Sequence, residues 1–260
     1  MFAAAKCDVG KLRKTNQDSV YCSMDPVGDL PNLFIVADGM GGHLAGEHAS
    51  SEAVQFFVQE VAEKSFKEDS IVKLLREGVE STNRYVYKLS KQSSAWTGMG
   101  TTFVAAVIME DTLFCVNVGD SRLYLVLVDG QGGLGLKKLT IDHSVVEELV
   151  QKGEITAEEA RVHPQKNVIT RAVGIEEQVS VDAFEIPLTG ILRVLLCSDG
   201  LSNMVEDTEL LHMLGRAVPS GQDEIESLAE QLINRANDNG GYDNISVILI
   251  DLWKEGAQHA

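Results

Sequence analysis

Basic side chains are the first shortage: 22 lysines and arginines stand against 39 aspartates and glutamates, a formal net charge of −17. A chain this acidic repels a polyphosphate backbone and an anionic lipid surface, so neither nucleic acid nor a membrane is an expected partner. Long apolar runs are missing too. Thr102 to Met109 is among the longest, well short of the roughly 20 residues that a helix needs to span a bilayer. Met1-Phe2-Ala3-Ala4-Ala5-Lys6 has no basic stretch followed by a long apolar segment, so no signal peptide is expected. Cys7, Cys22, Cys115 and Cys197 make neither a close pair nor a zinc-type spacing, and three of them sit in apolar runs. That pattern predicts buried free thiols of a reducing compartment rather than a disulfide framework. Internal repeats, low-complexity segments and Pro/Gly/Ser-rich linkers are absent as well. What remains is an acidic chain of 260 residues with 44% hydrophobic residues, enough to bury a core. It reads as soluble and cytoplasmic, with a monomer as the default.

Short apolar runs alternate with two long amphipathic segments. Leu33-Phe34-Ile35-Val36-Ala37 reads as a buried strand. Ala45, Ala49, Ala53, Phe57 and Val61 then recur every fourth residue, and Ile71, Leu75, Val79, Thr82, Val86 and Leu89 form a second such stripe. From Thr101 the pattern turns to β-branched or apolar runs at 101–108, 113–118 and 122–128, too close together for intervening helices, which requires antiparallel pairing. Helical pieces interrupt at 143–168, strands resume at 181–186 and 191–197, and helices are expected near 208–216 and 224–236 before a last strand at 244–252. The whole predicts an α+β fold: two packed antiparallel β-sheets, a β-sandwich, flanked by pairs of α-helices. One domain is expected over 1–254, carrying a small subdomain at about 143–168, with 255–260 a frayed tail.

Carboxylates punctuate the strand ends. Asp38, Asp199 and Asp120 each follow an apolar run, Asp243 immediately precedes the last strand, and Asp18 precedes Ser19-Val20-Tyr21-Cys22. Rigid strand ends can hold side chains converging on one point, and hard cations such as magnesium and manganese take oxygen donors. Asp-Gly is also common turn chemistry, and Asp129-Gly130 is assigned to a hairpin loop on that ground. Asp38-Gly39-Met40-Gly41-Gly42 differs because it joins an apolar strand to a helix, where glycines let the backbone approach a ligand. Among the other polar residues, His48 reads as a surface or capping side chain and His143 as a buried hydrogen-bonded corner. Arg122 is expected to ion-pair near Asp120.

Arg13-Lys14-Thr15-Asn16-Gln17-Asp18 and Val36-Ala37-Asp38-Gly39-Met40-Gly41-Gly42-His43 resemble the opening motifs of the PPM family, the metal-dependent type 2C Ser/Thr protein phosphatases. Gly100-Thr101-Thr102, Val118-Gly119-Asp120-Ser121-Arg122, Leu139 to Ser144, Ile169 to Gly174, Cys197-Ser198-Asp199-Gly200-Leu201 and Asp243-Asn244-Ile245-Ser246-Val247 follow in that family's order. The likeness runs from about residue 8 to 251, and its Asn-Gln-Asp, Gly-Met-Gly-Gly-His and His163-Pro164-Gln165 details look like the bacterial branch.

The resemblance implies roles. Two divalent cations, Mn2+ or Mg2+, would share Asp38 as bridging carboxylate with the Gly39 carbonyl as a further ligand. Asp199 and Asp243 would hold one side, and Asp18 would sit close by. Asp120 with Asp199 resembles the pair that takes a third, weaker metal. Arg13 resembles the phosphate clamp, a task suited to a planar bidentate fork, and Asn244 would orient the site from behind the ligands. The implied reaction is hydrolysis of phosphoserine and phosphothreonine in proteins by a hydroxide bridging the two metals. Attack would be in line and in a single step, without a phosphoenzyme, opposing a bacterial Ser/Thr kinase. Animal members carry histidine directly after the Asp-Gly. Met40 stands there in this chain, so His43 is the candidate general acid, with a metal-bound water as its rival. Gln17 replaces an acidic residue of animal members, so the second metal is expected to keep more waters. A degenerate phosphoprotein binder would usually have lost one of Asp18, Asp38, Asp199 and Asp243, and all four are present. A small-metabolite substrate stays open, because the metal chemistry is indifferent to the leaving group.

The 143–168 segment corresponds to that family's flap, with Gly153 and Pro164 as expected hinges, and should select phosphoprotein substrates. Exchanging it for a relative's flap is expected to change the order of preference across a phosphopeptide panel; an unchanged order would remove that role.

Overall fold

Neighbouring residues of Leu33-Phe34-Ile35-Val36-Ala37 point into different cores, which explains why the run is apolar throughout. Leu33, Ile35 and Ala37 pack under helices, while Phe34 and Val36 pack into a layer between two sheets. The protein was examined as a computed structural model that describes residues 1–42, 44–64, 71–128, 132–215 and 221–252. Its strands are β1 (Phe2–Asp8), β2 (Asp18–Ser23), β3 (Leu33–Met40), β4 (Gly100–Thr101), β5 (Phe103–Met109), β6 (Thr112–Val118), β7 (Arg122–Val128), β8 (Leu134–Lys138), β9 (Asp182–Pro187), β10 (Ile191–Cys197) and β11 (Ile245–Asp251). A five-stranded sheet runs β1-β11-β10-β7-β8; a six-stranded sheet runs β2-β3-β5-β6-β9, with β4 paired onto β3. Every pairing is antiparallel.

Helices α1 (Ala45–Glu63) and α2 (Ile71–Ser90) cover the outer face of the six-stranded sheet. Their buried stripes include Ala49, Ala53, Phe57 and Val61 on the first, and Leu75, Val79 and Val86 on the second. Helices α5 (Asp199–Ser202), α6 (Asp207–Leu214) and α7 (Gln222–Asp238) cover the other sheet through Leu201, Leu210, Leu214, Ile225, Leu232 and Ile233. The inter-sheet layer holds Val104, Leu123, Val194, Ile248 and Ile250. This is the sandwich flanked by helix pairs that the periodicity predicts. Among the described residues no helix is long and apolar enough to cross a membrane.

Helices α3 (Val145–Gln151) and α4 (Ala157–Val162) make the small subdomain. Ser144 caps the first, and Thr156 with Glu159 forms a reciprocal capping box on the second. Gly153 turns the chain between them at φ +71°.

The departures are local. β1 was not anticipated, because Phe2-Ala3-Ala4-Ala5-Lys6 has no β-branched residue; full-length pairing with β11 and burial of Ala3 and Ala4 hold it instead. β8, Leu-Gly-Leu-Lys-Lys, is an edge strand that among the described residues pairs only with β7. Cys7 is exposed, Cys22 is partly buried and Cys115 and Cys197 are buried, all four as free thiols. Asp129-Gly130, Arg216 and the tail at 255–260 lie outside the described residues.

Between β10 and β11, Arg193 stands opposite Asp251 with Nε 2.8 Å from Oδ2, both side chains buried, and the guanidinium also donates to the Leu214 carbonyl at the end of α6. Truncating one partner of such a pair strands the other charge, so Asp251→Ala is expected to cost about 3–5 kcal/mol. The double change Arg193→Met/Asp251→Leu should cost much less. Urea unfolding of both variants checks this, and a single-variant loss below about 1 kcal/mol would contradict the expected cost of a stranded buried charge.

Candidate metal centre

Asp18 and Asp38 are cross-strand partners, paired at the end of the β2–β3 ladder. Like charges directly opposite one another repel at roughly 5 Å, so this pair is held there against its own electrostatics. Asp199 arrives from the other sheet at the first turn of α5 directly after β10, and Asp243 immediately precedes β11. Asp120 lies in the short crossing between β6 and β7, which carries the chain from one sheet to the other. A cleft of 240 Å³ opens over them, lined by Arg13, Gln17, Asp38, Gly39, Met40, Gly41, Thr102, Asp120, Asp199, Asp243 and Asn244, with Asn167 and Ile169 from the chain after α4. Asp18 is buried beneath it, 9% exposed.

The carboxylates pay heavily for this gathering. Burial pushes the Asp18 carboxyl up to about 7, and the charges of Asp199 and Asp243 add to the rise against donation from Ser246 and Ser198. Burial, then the fields of Asp18, Asp199, Asp120 and Asp243, holds Asp38 well above the usual carboxylate range. Asp120 rises to about 8 through burial and the neighbouring Asp199 and Asp142, with Arg122 pulling the other way. Burial and Asp243 raise Asp199. Such a cluster favours either protons or a cation.

The donor chemistry fits a hard divalent cation. Among the described residues, Oδ1 of Asp18 and Oδ1 of Asp199 are each buried without a hydrogen-bond partner, and the cleft lining contains no histidine or cysteine. The side chains are nonetheless turned towards protein donors. Ser198 Oγ donates to Asp18 Oδ2 at 2.8 Å, Arg13 Nη2 to Asp243 Oδ2 at 2.7 Å, and Asn203 Nδ2 to Asp199 Oδ2 at 3.0 Å. Accordingly, among the described residues no group of three or more His, Cys, Asp or Glu side chains is arranged to hold an ion as it stands. Binding one requires these rotamers to exchange a protein donor for the cation.

The frame around them is tightly bonded. Asp38 N donates to Thr102 Oγ1 at 2.8 Å, Thr101 Oγ1 and Thr102 N donate to the Asp38 carbonyl, and Thr102 Oγ1 shares a hydrogen bond with Ser121. Gly39 backs onto Gly46 in the first turn of α1. A Cβ on Gly39 would collide with the Gly46 carbonyl, and one on Gly46 would lie 2.6 Å from the Gly39 carbonyl. Asn244 donates to the carbonyls of Val9 and Thr15 at 2.9 Å each and accepts from Gln17 N at 2.8 Å, stapling the 9–17 loop that carries Arg13.

Of the residues singled out in the sequence, Arg13, Asp38, Gly39, Asp120, Asp199, Asp243 and Asn244 line one cleft, with Asp18 beneath. His43 lies outside the described residues. His48 is set against Trp96, ring centroids 4.5 Å apart. His143 is buried and accepts from Gly119 N at Nδ1. Arg122 ion-pairs beside Asp120 as expected: its Nε and Nη2 donate to Asp142 at 2.6–3.1 Å, and both residues act on the Asp120 carboxyl. The supporting hydroxyls of Thr102, Ser121 and Ser198 were missed as site residues although each lies inside a recognised motif. Asn167 carried no signal beyond its place ahead of the Ile169-Thr170 motif.

The Protein phosphatase 2C family pattern matches residues 13–235. The serine/threonine phosphatase stp of Listeria monocytogenes serovar 1/2a is 38% identical, with 98% of each chain covered. The protein phosphatase PhpP of Streptococcus pneumoniae D39 is 35% identical over 96% of this chain and 97% of its own. Among solved structures, the serine/threonine phosphatase PstP/Ppp of Mycobacterium tuberculosis superposes with a TM-score of 0.82 at 34% identity, covering 97% of this chain and 98% of that one.

Raised carboxyl groups bind protons more tightly in the folded chain, so they reduce stability as pH rises from about 4 through 7 to 8. In chelator, Asp18→Asn should therefore be more stable than the parent at pH 8.5, by on the order of 1 kcal/mol or more, and lose that advantage near pH 4. Denaturant titrations across that range test it; a pH-independent difference would show that Asp18 is not held under electrostatic strain.

Proposed function

The chain belongs to the protein phosphatase 2C family, and we propose that it hydrolyses phosphoserine and phosphothreonine in proteins with divalent cations, Mn2+ or Mg2+, held by the aspartates of its cleft. The observation that carries this reading is the convergence of Asp18, Asp38, Asp120, Asp199 and Asp243 from both sheets at one cleft beside Arg13. Asp38 is central, its carboxyl under the field of the other four, which suits it to bridge two ions, with the Gly39 carbonyl, Asp199 and Asp243 around it. Asp120 and Asp199 together suit a third, weaker ion. Bound divalent cations supply Lewis acidity and a water acidic enough to attack phosphorus near neutral pH.

The protein's own contribution is positional. Arg13 is exposed, and an ion pair as open as Arg13–Asp243 is worth only about 0–1 kcal/mol, so a phosphate can take over its fork. Asn244 keeps the loop beneath Arg13 in place. The one hydroxyl side chain lining the cleft, Thr102, is occupied by the Asp38 amide and Ser121, which favours direct attack by water over a phosphoenzyme. His43 is the candidate to protonate the leaving alkoxide, with water as the alternative. The opposing activity would be a Ser/Thr kinase, since only such an enzyme makes these substrates, and the subdomain of α3 and α4 would select among them from within the single domain at 1–254.

Phosphate release from a phosphothreonine peptide is expected with manganese and should vanish with chelator. Asp38→Asn should lower turnover by several orders of magnitude while the far-ultraviolet circular dichroism stays unchanged; near-normal turnover would refute the bridging role. Arg13→Ala should raise KM for phosphopeptides more than it lowers kcat, and the reverse would make Arg13 a transition-state group.

A further inference from the structure

Two large apolar side chains stand exposed beside the phosphate clamp: Leu12 at 65% and Tyr242 at 59%. Each is the immediate neighbour of a cleft residue, Arg13 in one case and Asp243 in the other. Their loops are bolted together, because Lys11 N and Leu12 N both donate to the Gly241 carbonyl, at 2.8 and 3.3 Å. Glycine makes the join possible. Gly240 and Gly241 have φ of +135° and +56°, and a Cβ on Gly241 would meet Asn237 Oδ1 at 2.5 Å and Lys11 N at 3.0 Å. The Tyr242 ring folds back over Gly240, where a Cβ would lie 2.9 Å from both Cε2 and Cζ. The ring thus lies close against the Gly240 backbone while the residue keeps much of its surface open to solvent. With only two side-chain torsions, an aromatic ring loses little freedom on binding and offers a flat apolar surface. Ile169, which also lines the cleft, and its neighbour Val168, 45% exposed, place further apolar surface on the rim formed by the chain after α4.

We propose that Tyr242, with Leu12, is a specificity-determining platform that takes the apolar side chain of the residue flanking the phosphoresidue in an extended phosphopeptide. The inference rests on the phosphatase reading, because the platform is defined by its place beside Arg13. The occupant follows from continuity: a phosphoresidue whose phosphate reaches Arg13 brings its backbone neighbour over the adjoining Leu12 or Tyr242. Neither platform residue carries a charge to receive a polar side chain, and both offer apolar area that water covers poorly.

The test compares kcat/KM of the manganese-loaded full chain on phosphothreonine peptides with leucine, alanine or glutamate at each flanking position, and on p-nitrophenyl phosphate. Leucine beside the phosphothreonine should be preferred over alanine by about 5- to 10-fold, mainly in KM. Tyr242→Ala and, separately, Leu12→Ser should reduce that preference to within about two-fold and leave p-nitrophenyl phosphate turnover unchanged. Tyr242→Phe should keep the preference, since the ring and not the hydroxyl carries it. A preference that survives in both Tyr242→Ala and Leu12→Ser, or that is missing in the parent chain while p-nitrophenyl phosphate is hydrolysed, overturns the platform alone. Failure of the parent chain to hydrolyse any of these substrates overturns the phosphatase reading and the platform with it.

Discussion

Electrostatic repulsion among carboxylates is the constraint around which this molecule is built. Asp18 and Asp38 occupy opposed positions on adjacent strands, and Asp199, Asp243 and Asp120 are delivered to the same cleft from other strand ends. Left to side-chain preference such a group would scatter into solvent. It stays together because each member is attached to a backbone that has no alternative course: two sheets in full antiparallel register, with apolar layers on both faces of each. The fold spends stability to keep five acids close, and a cation bound among them would return it.

The supporting contacts have a common logic. Thr102 and Ser121 fix the backbone of Asp38 without neutralising its carboxylate. The Asn244 side chain makes its three hydrogen bonds with backbone groups of the 9–17 loop. Ser198 donates a neutral hydroxyl to Asp18. Neutral donors hold geometry while leaving charge available, whereas a lysine or arginine in any of these places would occupy the carboxylates permanently. Of the nearby arginines, Arg122 is held by Asp142, and only the exposed Arg13 pairs with a carboxylate of the group, Asp243.

Much of this was legible in the sequence for definite reasons. A strand buried on both faces is largely apolar, so 33–37 and 194–197 announced themselves, and the four-residue stripes of α1 and α2 followed from helix geometry. The aspartates were readable because each sits where such a run ends. β1 was not readable, because its alanines satisfy a pairing supplied by β11, more than 230 residues away, and no local preference records that. The hydroxyl supports were hidden because serine and threonine are common at strand ends and nothing in their identity says which way the oxygen points.

The position of β11 has a temporal consequence. It is a central strand, hydrogen-bonded on one side to β1 and on the other to β10, and the residues just ahead of it supply Asp243 and Asn244. During synthesis β1 leaves the ribosome long before β11, the one strand it is hydrogen-bonded to among the described residues. Helix α7, which packs over that same sheet, is equally late. A nascent chain can therefore assemble most of the six-stranded sheet, with Asp18 and Asp38 opposed, while the other half of the cleft does not yet exist. Both halves of the cleft are therefore present together only once β11 has been made.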